Sequence, residues 1–438
     1  MKKTFASLTL GSLLVASSAS AVEININPFG YLTGMFNSQP NAFGFHVRSG
    51  AEFNFNRSGF YAGLGAIGAW SIPTGNTPSS SVGDISDAYL KYKRSTRDKD
   101  DKVRETLEAA VGRFNSDFIM NDWLDGNMQG IAARYSVSNR FDVYGAWVNS
   151  MLGTGYKKGQ IGARNGTQLA GVTPYSQNYK NAFIGGEVLL GGFSFTDRSK
   201  WLIDAFGLFN SKLPGSVFVY DNQGNHQSTK QNGSALAQGG ITASLRVNLA
   251  KNFNAKTTLR GIFQYGNTDW KDIQKTGEDI SFLVWGDEKI TIMNDFYVGF
   301  GAHYVGGREG TGGIWAITDS TRYYGNTLGR GVNQLGVTVA TGGVAPYFLN
   351  NTLTAYLYAG MDWKRVKIHA LASFLDYQEY NLMAQGTVWN QANMSLEVGG
   401  GFVSYTANAG TWNSSNNTIT QGRIASSNNF LVFARFAY

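Results

Sequence analysis

The feature of this sequence that most constrains its fold is a two-residue alternation of apolar and polar side chains. In segment 241–250, Ile241 and Leu245 lie on one face, whereas Thr242 and Arg246 lie on the other. The same alternation is found in segments 141–148, 201–209, 255–265, 295–304, 352–361 and 365–374. Because successive side chains of a strand point to opposite faces, this period predicts β-strands throughout the chain.

The composition indicates which kind of β-protein this is. Charged residues make up 15% of the chain and aromatic residues 14%, whereas a soluble domain carries about 25% charged residues. Beyond the first residues there is no apolar run of about 18 residues that could form a spanning helix. Low charge, many aromatic residues and alternating segments therefore predict an all-β fold, a single closed antiparallel transmembrane β-barrel.

The connections between the alternating segments predict the number of strands. Short polar turns are expected at 56–58, 136–139, 250–253 and 286–289, and long connections at 151–180, 211–237, 267–277, 305–330 and 405–428. This spacing predicts about 18 strands, an even number as in other single-chain barrels. Sixteen strands stay possible, because the connection at 362–365 is short for an extracellular loop.

The two ends of the sequence predict its destination. Residues 1–21 combine Lys2, Lys3, a short apolar stretch and a small-residue cleavage site, and so read as a signal peptide. Residues 22–438 would then form the barrel in the outer membrane of a Gram-negative bacterium. The last nine residues alternate to the end, and Phe436 and Tyr438 share a face. Such an aromatic end is the usual address for the outer-membrane assembly machinery.

Basic residues lie on the polar face of several predicted strands. Arg246 is expected almost opposite Lys256, with Arg260 further along the same wall, and Arg134 and Lys367 are also on inward phase. A barrel of 16 or 18 strands encloses an aqueous lumen. These five residues are therefore candidates for a basic ladder that attracts anions, although they could equally be solvated residues in a wide tube.

The segment 115–127 lies between the predicted fifth and sixth strands. It combines the apolar Trp123 with the acidic residues Asp117, Asp122 and Asp125. A loop that folds into the lumen could pack its apolar groups on the wall and direct its carboxylates at the basic ladder, so that solutes are screened by charge. The segment is therefore a candidate constriction loop, and the alternative is a loop packed on its own rim.

These segments resemble a known family. The stretches VGRF (111–114), MNDW (120–123) and GNMQGIAARY (126–135) are similar to the epsilonproteobacterial outer-membrane-protein (Hof) family. More distantly, the architecture resembles the OprD-type specific porins. That resemblance implies eighteen strands, an inward third loop and a basic ladder that pairs substrate carboxylates. Judged only by their place on the inward face of the predicted strands, the positions that would correspond to the ladder are Arg134, Arg246, Lys256 and Arg260.

Other functions find little support in the sequence. There is no cysteine, so neither a disulfide framework nor a thiolate site is available. The motif GLGAIG at 63–68 is followed by a loop rather than a helix, which argues against nucleotide binding. His46, His226, His303 and His369 are dispersed without metal-ligand spacing. A formal net charge of +7 is too small to indicate nucleic-acid binding.

The sequence therefore predicts an outer-membrane porin that admits small hydrophilic solutes by passive diffusion, with anions or carboxylates as candidate solutes. Neither catalysis nor a cofactor is expected, and the chain could work as a monomer or as a homotrimer. The alternative is an adhesin, in which the long loops 151–180, 211–237 and 405–428 bind a host surface and the barrel is an anchor. These loops are rich in Gly, Asn and Ser, which weakens that alternative.

Overall fold

The structure is a computed structural model, and it describes most of the 438-residue chain. The described residues are 23–38, 41–56, 58–73, 80–100, 103–121, 123, 127–138, 140–152, 186–197, 200–213, 216–220, 226–231, 235–266, 280–307, 313–315, 346–413, 418–423 and 427–438. The expected signal peptide, the loop 151–180 beyond Leu152, and parts of the other predicted long loops lie outside them.

Strands account for almost all of the regular structure. They are β1 Ile24–Ser38, β2 Asn41–Phe55, β3 Phe60–Pro73, β4 Ser80–Arg97, β5 Val103–Asn115, β6 Asn127–Val137, β7 Phe141–Leu152, β8 Val188–Asp197, β9 Trp201–Asn210, β10 Ser216–Tyr220, β11 His226–Gln231, β12 Leu236–Ala250, β13 Phe253–Tyr265, β14 Ile280–Ile292, β15 Phe296–Gly307, β16 Thr352–Trp363, β17 Val366–Leu375, β18 Tyr377–Gln391, β19 Met394–Asn413, β20 Thr418–Arg423 and β21 Ser427–Ala437. Two short 3-10 helices span Ser116–Ile119 and Pro346–Phe348. In the described part of the chain, no helix is long and apolar enough to span a membrane.

The strands form one closed antiparallel barrel. Each pairs with its neighbours in chain order, β9 pairs with β12, and β21 returns to pair with β1. Of the 19 strands in this sheet, β20 pairs only with the far end of β19, so 18 strands form the wall. β10 and β11 form a separate hairpin. The prediction of an all-β barrel with 18 strands is confirmed, and the alternative of sixteen is wrong.

The short connection that left sixteen strands possible lies at the end of the barrel that carries Glu23 and Tyr438, here called the terminal end. β16 ends at Trp363 and β17 begins at Val366, so the segment 362–365 is a tight turn. This turn is on the same end as Tyr438, whose backbone N–H and C=O pair with Gly30. It is therefore a short turn at the terminal end, and the long connections lie at the opposite end, here called the loop end.

One predicted turn is wrong. The segment 286–289 lies inside β14, where Asp287 and Lys289 face the lumen. Three consecutive charged residues resemble a turn, but the ladder continues through them to a true turn at Met293 and Asn294, both with positive φ. The prediction failed because Glu288 breaks the rule that outward positions are apolar.

The outward face of the wall is mostly apolar, as the alternation predicts. Large outward side chains such as Leu64 and Val284 are 63% and 60% exposed, which suits a surface in contact with lipid. Glu288 is an exception on β14 and accepts a hydrogen bond at 2.6 Å from the Thr257 hydroxyl on β13. The inward face is polar, and this is where the candidate site lies.

The last strand closes the barrel. β21 pairs with β1 from Tyr31↔Ala437 to Asn37↔Leu431. Its inward Arg435 is 1% exposed, and its Nη1 lies 3.6 Å from Glu397 Oε2 on β19. The outward Phe436 ring lies parallel to Trp389 with centroids 6.3 Å apart, and the Tyr438 hydroxyl donates to Ser49. The terminal strand is thus held at both faces, which accounts for its alternation up to the last residue.

Candidate functional site: a basic wall under an inward loop

The core of the site is a row of three cations on adjacent strands. In the antiparallel register, Arg246 on β12 pairs with Lys256 on β13, and Lys256 pairs with Lys289 on β14. All three are on the inward phase. Like charges placed directly opposite destabilise an ordinary sheet. A row of this kind is tolerable where water solvates the side chains, and it gives one side of the lumen a positive potential.

Arg260 lies four residues further along β13 and is held by an aromatic partner. Its guanidinium carbon lies 4.3 Å from the centroid of the Trp285 ring on β14, a cation–π contact. The Trp285 indole donates to the Tyr356 hydroxyl at 2.7 Å, and Tyr356 donates to Asp287 Oδ2 at 2.8 Å. This chain of contacts fixes the Trp285 ring, and the Arg260 guanidinium lies beside that fixed ring.

A cavity of about 430 Å³ lies against this wall. The ladder residues Arg246, Lys256 and Arg260 line it, and Trp123 of the inward loop lines it as well. Its other lining residues are Met120, Asn121, Asp142, Ser194, Thr196, Lys200, Trp201, Leu202, Asp204, Phe206, Thr242, Ser244 and Ile262. The cavity therefore combines a basic side, hydroxyl groups and an apolar patch near the loop.

Two carboxylates line the same cavity, and both have partners. Asp204 accepts hydrogen bonds from the Tyr144 hydroxyl at 2.9 and 3.1 Å. Asp142 accepts from Arg134 Nη2 at 2.8 Å and also from the hydroxyls of Ser136 and Ser194. Cations therefore outnumber acids in the lining, and the acidic groups lie on the wall formed by β7 and β9.

Two predicted ladder members lie apart from the others. Arg134 is on the inward phase, but its charge is paired with Asp142, and its Nη1 donates to the Phe118 carbonyl of the loop at 3.3 Å. These contacts join the loop to the wall, and the membership of Arg134 in the basic ladder stays a prediction. Lys367 is the second residue of β17, at the terminal end of the barrel, and its Nζ lies 3.4 Å from Asp362 Oδ2.

The loop between β5 and β6 reaches across the lumen. It starts with the turn Ser116–Ile119, capped by the Asn115 side chain, which accepts from the Asp117 N–H. Met120 follows in the left-handed conformation, at φ 60°, and redirects the chain. Trp123 is then 2% exposed, and its indole N–H donates to Gln238 Oε1 on β12 at 2.8 Å. The loop therefore contacts the wall that carries the ladder.

Asp117, the acidic residue of the loop that the structure describes, lies away from the basic ladder. Asp117 lines a second cavity, of about 340 Å³, together with Arg48, Asp87, Lys91 and other residues of β1, β2, β4 and β5. It therefore does not face the ladder within the larger cavity. Asp122 and Asp125 lie outside the described residues. The described part of the loop contributes an apolar and amide surface, rather than carboxylates, to the cavity beside the ladder.

Sequence reasoning missed three residues of this site. Lys289 and Asp287 were hidden because their segment resembles a turn. Gln238 was missed because an uncharged residue on the inward phase gives no distinctive signal. The continued alternation from Ile280 to Ile292 could have revealed Lys289, since it places that residue on the same phase as Trp285.

No protein-family model and no curated protein sequence matches this chain. The fold is similar to solved structures. The outer membrane protein OpdK of Pseudomonas aeruginosa superposes with a TM-score of 0.59 at 10% identity, covering 94% of this chain and 99% of that one. OccD3 (OpdP) of the same organism gives 0.57 at 12% identity, with 95% and 91% covered. OprD, also from that organism, gives 0.55 at 9% identity, with 94% and 95% covered.

At such identities the likeness shows the fold alone. It agrees with the OprD-type architecture that the sequence predicts, because the match spans nearly the whole of each chain. None of these neighbours bears on the epsilonproteobacterial resemblance, which stays a prediction.

Proposed function

We propose that this chain is an outer-membrane porin through which small hydrophilic solutes diffuse passively, with a preference for anions. The observation that carries the proposal is the position of Arg246, Lys256 and Arg260 on one side of the larger described cavity, with Lys289 in the same row. A positively charged wall lowers the free energy of an anion in the lumen. It does not require the anion to give up all of its water, so transit stays fast.

The geometry supports a mechanism in two parts. The Arg246–Lys256–Lys289 row draws an anion toward one side of the lumen, and Arg260, in contact with the Trp285 ring, provides a planar guanidinium beside the cavity. A guanidinium can donate two parallel hydrogen bonds to a carboxylate, which a lysine cannot do. The apolar patch formed by Trp123, Phe206 and Ile262 would accommodate the uncharged part of the solute.

Carboxylates are the anions that this arrangement suits best. One of the similar solved structures is OpdK with vanillate, a carboxylate, bound to that protein. For the present chain, the preference rests on the planar presentation of Arg260. No covalent step and no cofactor is part of the proposal.

The cellular setting belongs to the same proposal. Residues 1–21 would direct export, the barrel would lie in the outer membrane, and the strand ending in Phe436 and Tyr438 would be recognised by the assembly machinery. The proposal is compatible with a monomer or a homotrimer. The adhesin alternative depends on loops that lie largely outside the described residues, and the contacts of the described residues lend it no support.

Uptake into proteoliposomes tests the proposal. Gluconate, sorbitol and glucosamine are similar in size but differ in charge, so their entry rates separate charge selection from sieving. We expect gluconate to enter fastest and glucosamine slowest. Fastest entry of glucosamine would contradict the role given to the ladder. Equal exclusion of all three by a folded barrel would contradict the porin itself.

A further inference from the structure

Two glutamines on the inward face occupy paired positions near the loop end. Gln238 on β12 and Gln264 on β13 are register partners, and they are 5% and 0% exposed. Gln238 Nε2 donates to Gln264 Oε1 at 2.7 Å. A side-chain amide can donate and accept at once, so each glutamine can bind its neighbour and still bind a further group.

The further groups belong to two different connections. Gln238 Oε1 accepts from the Trp123 indole of the β5–β6 loop, and Gln238 Nε2 also donates to the Trp315 carbonyl at 2.6 Å. Trp315 lies in the long connection between β15 and β16. One side chain of the wall is therefore bonded to both inward segments.

Gln264 completes the arrangement. Its Oε1 accepts from the Trp315 backbone N–H at 2.9 Å, and its Nε2 donates to the Gly313 carbonyl at 2.7 Å. Segment 313–315 is thus bound to the wall through backbone groups. Ile314 N–H donates to the Phe348 carbonyl at 3.0 Å, which joins this segment to the residues just before β16.

The β5–β6 loop also contacts the residues just before β16, to which segment 313–315 is bonded. The rings of Trp123 and Phe348 lie 6.0 Å apart, and Trp123 stacks on Phe206 of β9 at 6.2 Å. Trp123, Trp315 and Phe348 are each at most 2% exposed. The lumen therefore contains a small apolar core between the two segments, and the glutamine pair lies at its edge.

We infer that Gln238 is the positioning residue that holds the β5–β6 loop and segment 313–315 together, and so sets the width of the passage beside the basic wall. This inference rests on the proposed function as a channel. Leucine in place of Gln238 would leave the Trp123 N–H and the Trp315 carbonyl without that partner in a buried place. Since buried polar groups without partners are costly, both segments would shift toward water.

Single-channel conductance of refolded Gln238→Leu in a planar bilayer is the first test. We expect an increase of about twofold over wild type, with noisier openings, because the constriction loses its anchor. Trp123→Phe, which keeps a smaller aromatic ring but removes the indole N–H, should also increase conductance. Gln385→Leu is the matched control, since Gln385 is a buried inward glutamine (4% exposed) on the distant strand β18, and its conductance should equal wild type.

A second measurement does not depend on conductance. The chain has no cysteine, so Ile119→Cys and Ile314→Cys each provide a single thiol in one inward segment. The parent side chains are 1% and 0% exposed, so both thiols should react slowly with a charged thiol reagent. Adding Gln238→Leu should speed both reactions at least about tenfold, because the opened segments expose their buried residues.

The outcomes separate the two proposals. If wild type does not conduct, the proposed function fails, and the thiol reactions still test the anchor. If wild type conducts but Gln238→Leu and Trp123→Phe leave conductance unchanged and both thiols protected, Gln238 is no anchor. Faster labelling at residue 119 alone would also contradict the inference, because it would mean that the two segments move independently. If Gln238→Leu does not fold, Trp123→Phe carries the test.

Discussion

The buried ion pair between Arg48 on β2 and Asp87 on β4 allows a quantitative prediction. Arg48 Nη2 lies 2.6 and 2.8 Å from the two Asp87 oxygens, and Arg48 Nε lies 3.1 Å from Oδ2. The side chains are 11% and 3% exposed. The pair crosses β3 at Gly65, where a Cβ would lie 2.8 Å from Asp87 Oδ2, so glycine makes room for the pair.

Removing one partner should be far more damaging than removing both. Asp87→Leu leaves the Arg48 charge buried without its carboxylate, and the loss of one member of a buried pair costs about 3–5 kcal/mol. Arg48→Leu should cost a similar amount. The double variant should lie within about 1 kcal/mol of wild type, because apolar replacement of a whole buried pair is often neutral.

Urea unfolding of the barrel refolded into lipid vesicles, followed by tryptophan fluorescence, measures these free energies. The four proteins form a double-mutant cycle, and the costs given above imply a coupling energy of at least about 5 kcal/mol. Because the pair carries no net charge, the double variant should keep the ion selectivity of wild type. Additive losses, or single variants that unfold at the wild-type urea concentration, would refute the reasoning.

Three further predictions concern other parts of the wall. Replacing Arg246, Lys256 and Lys289 together by glutamine should abolish most of the anion preference, measured as a reversal potential, whereas each single change should have a smaller effect. Arg435→Leu should lower the urea midpoint, because it breaks a buried ion pair beside the seam between β1 and β21. Glu288→Leu should raise the free energy of unfolding in vesicles by about 1 kcal/mol, because a carboxylate on the lipid face is unfavourable; a lower value would contradict this reading of β14.

Much of the barrel could be predicted from the sequence because the lipid and the lumen act on alternate residues. Each spanning strand must therefore show the two-residue alternation of apolar and polar side chains. The register between Arg246 and Lys256 follows from one tight turn. The same argument failed at 286–289, since Glu288 is polar on the lipid side. There the contact that satisfies the carboxylate, with Thr257, comes from the neighbouring strand, and strand pairing is not visible in the local pattern.

The inward loop shows where sequence reasoning stops. The apolar content of 115–127 suggested that the loop packs inside the barrel, and Trp123 is indeed buried. Its partners Gln238 and Phe348 are far away in the chain and have no spacing rule that links them to the loop. The ion pair of Arg134 was not foreseen for the same reason. The face of the strand on which Arg134 lies can be read from the local sequence. Its partner Asp142, in contrast, lies on the next strand at a position set by the β6–β7 turn.

The most direct test of the account is the reversal potential of single wild-type channels in a planar bilayer under a tenfold gradient of potassium chloride. The account predicts stable openings with a reversal potential of the sign for chloride preference, because cations outnumber acids around the described cavity beside Arg246 and Lys256. A reversal potential of the opposite sign would contradict the role of the basic wall. Absence of openings from a barrel shown to be folded would contradict the channel.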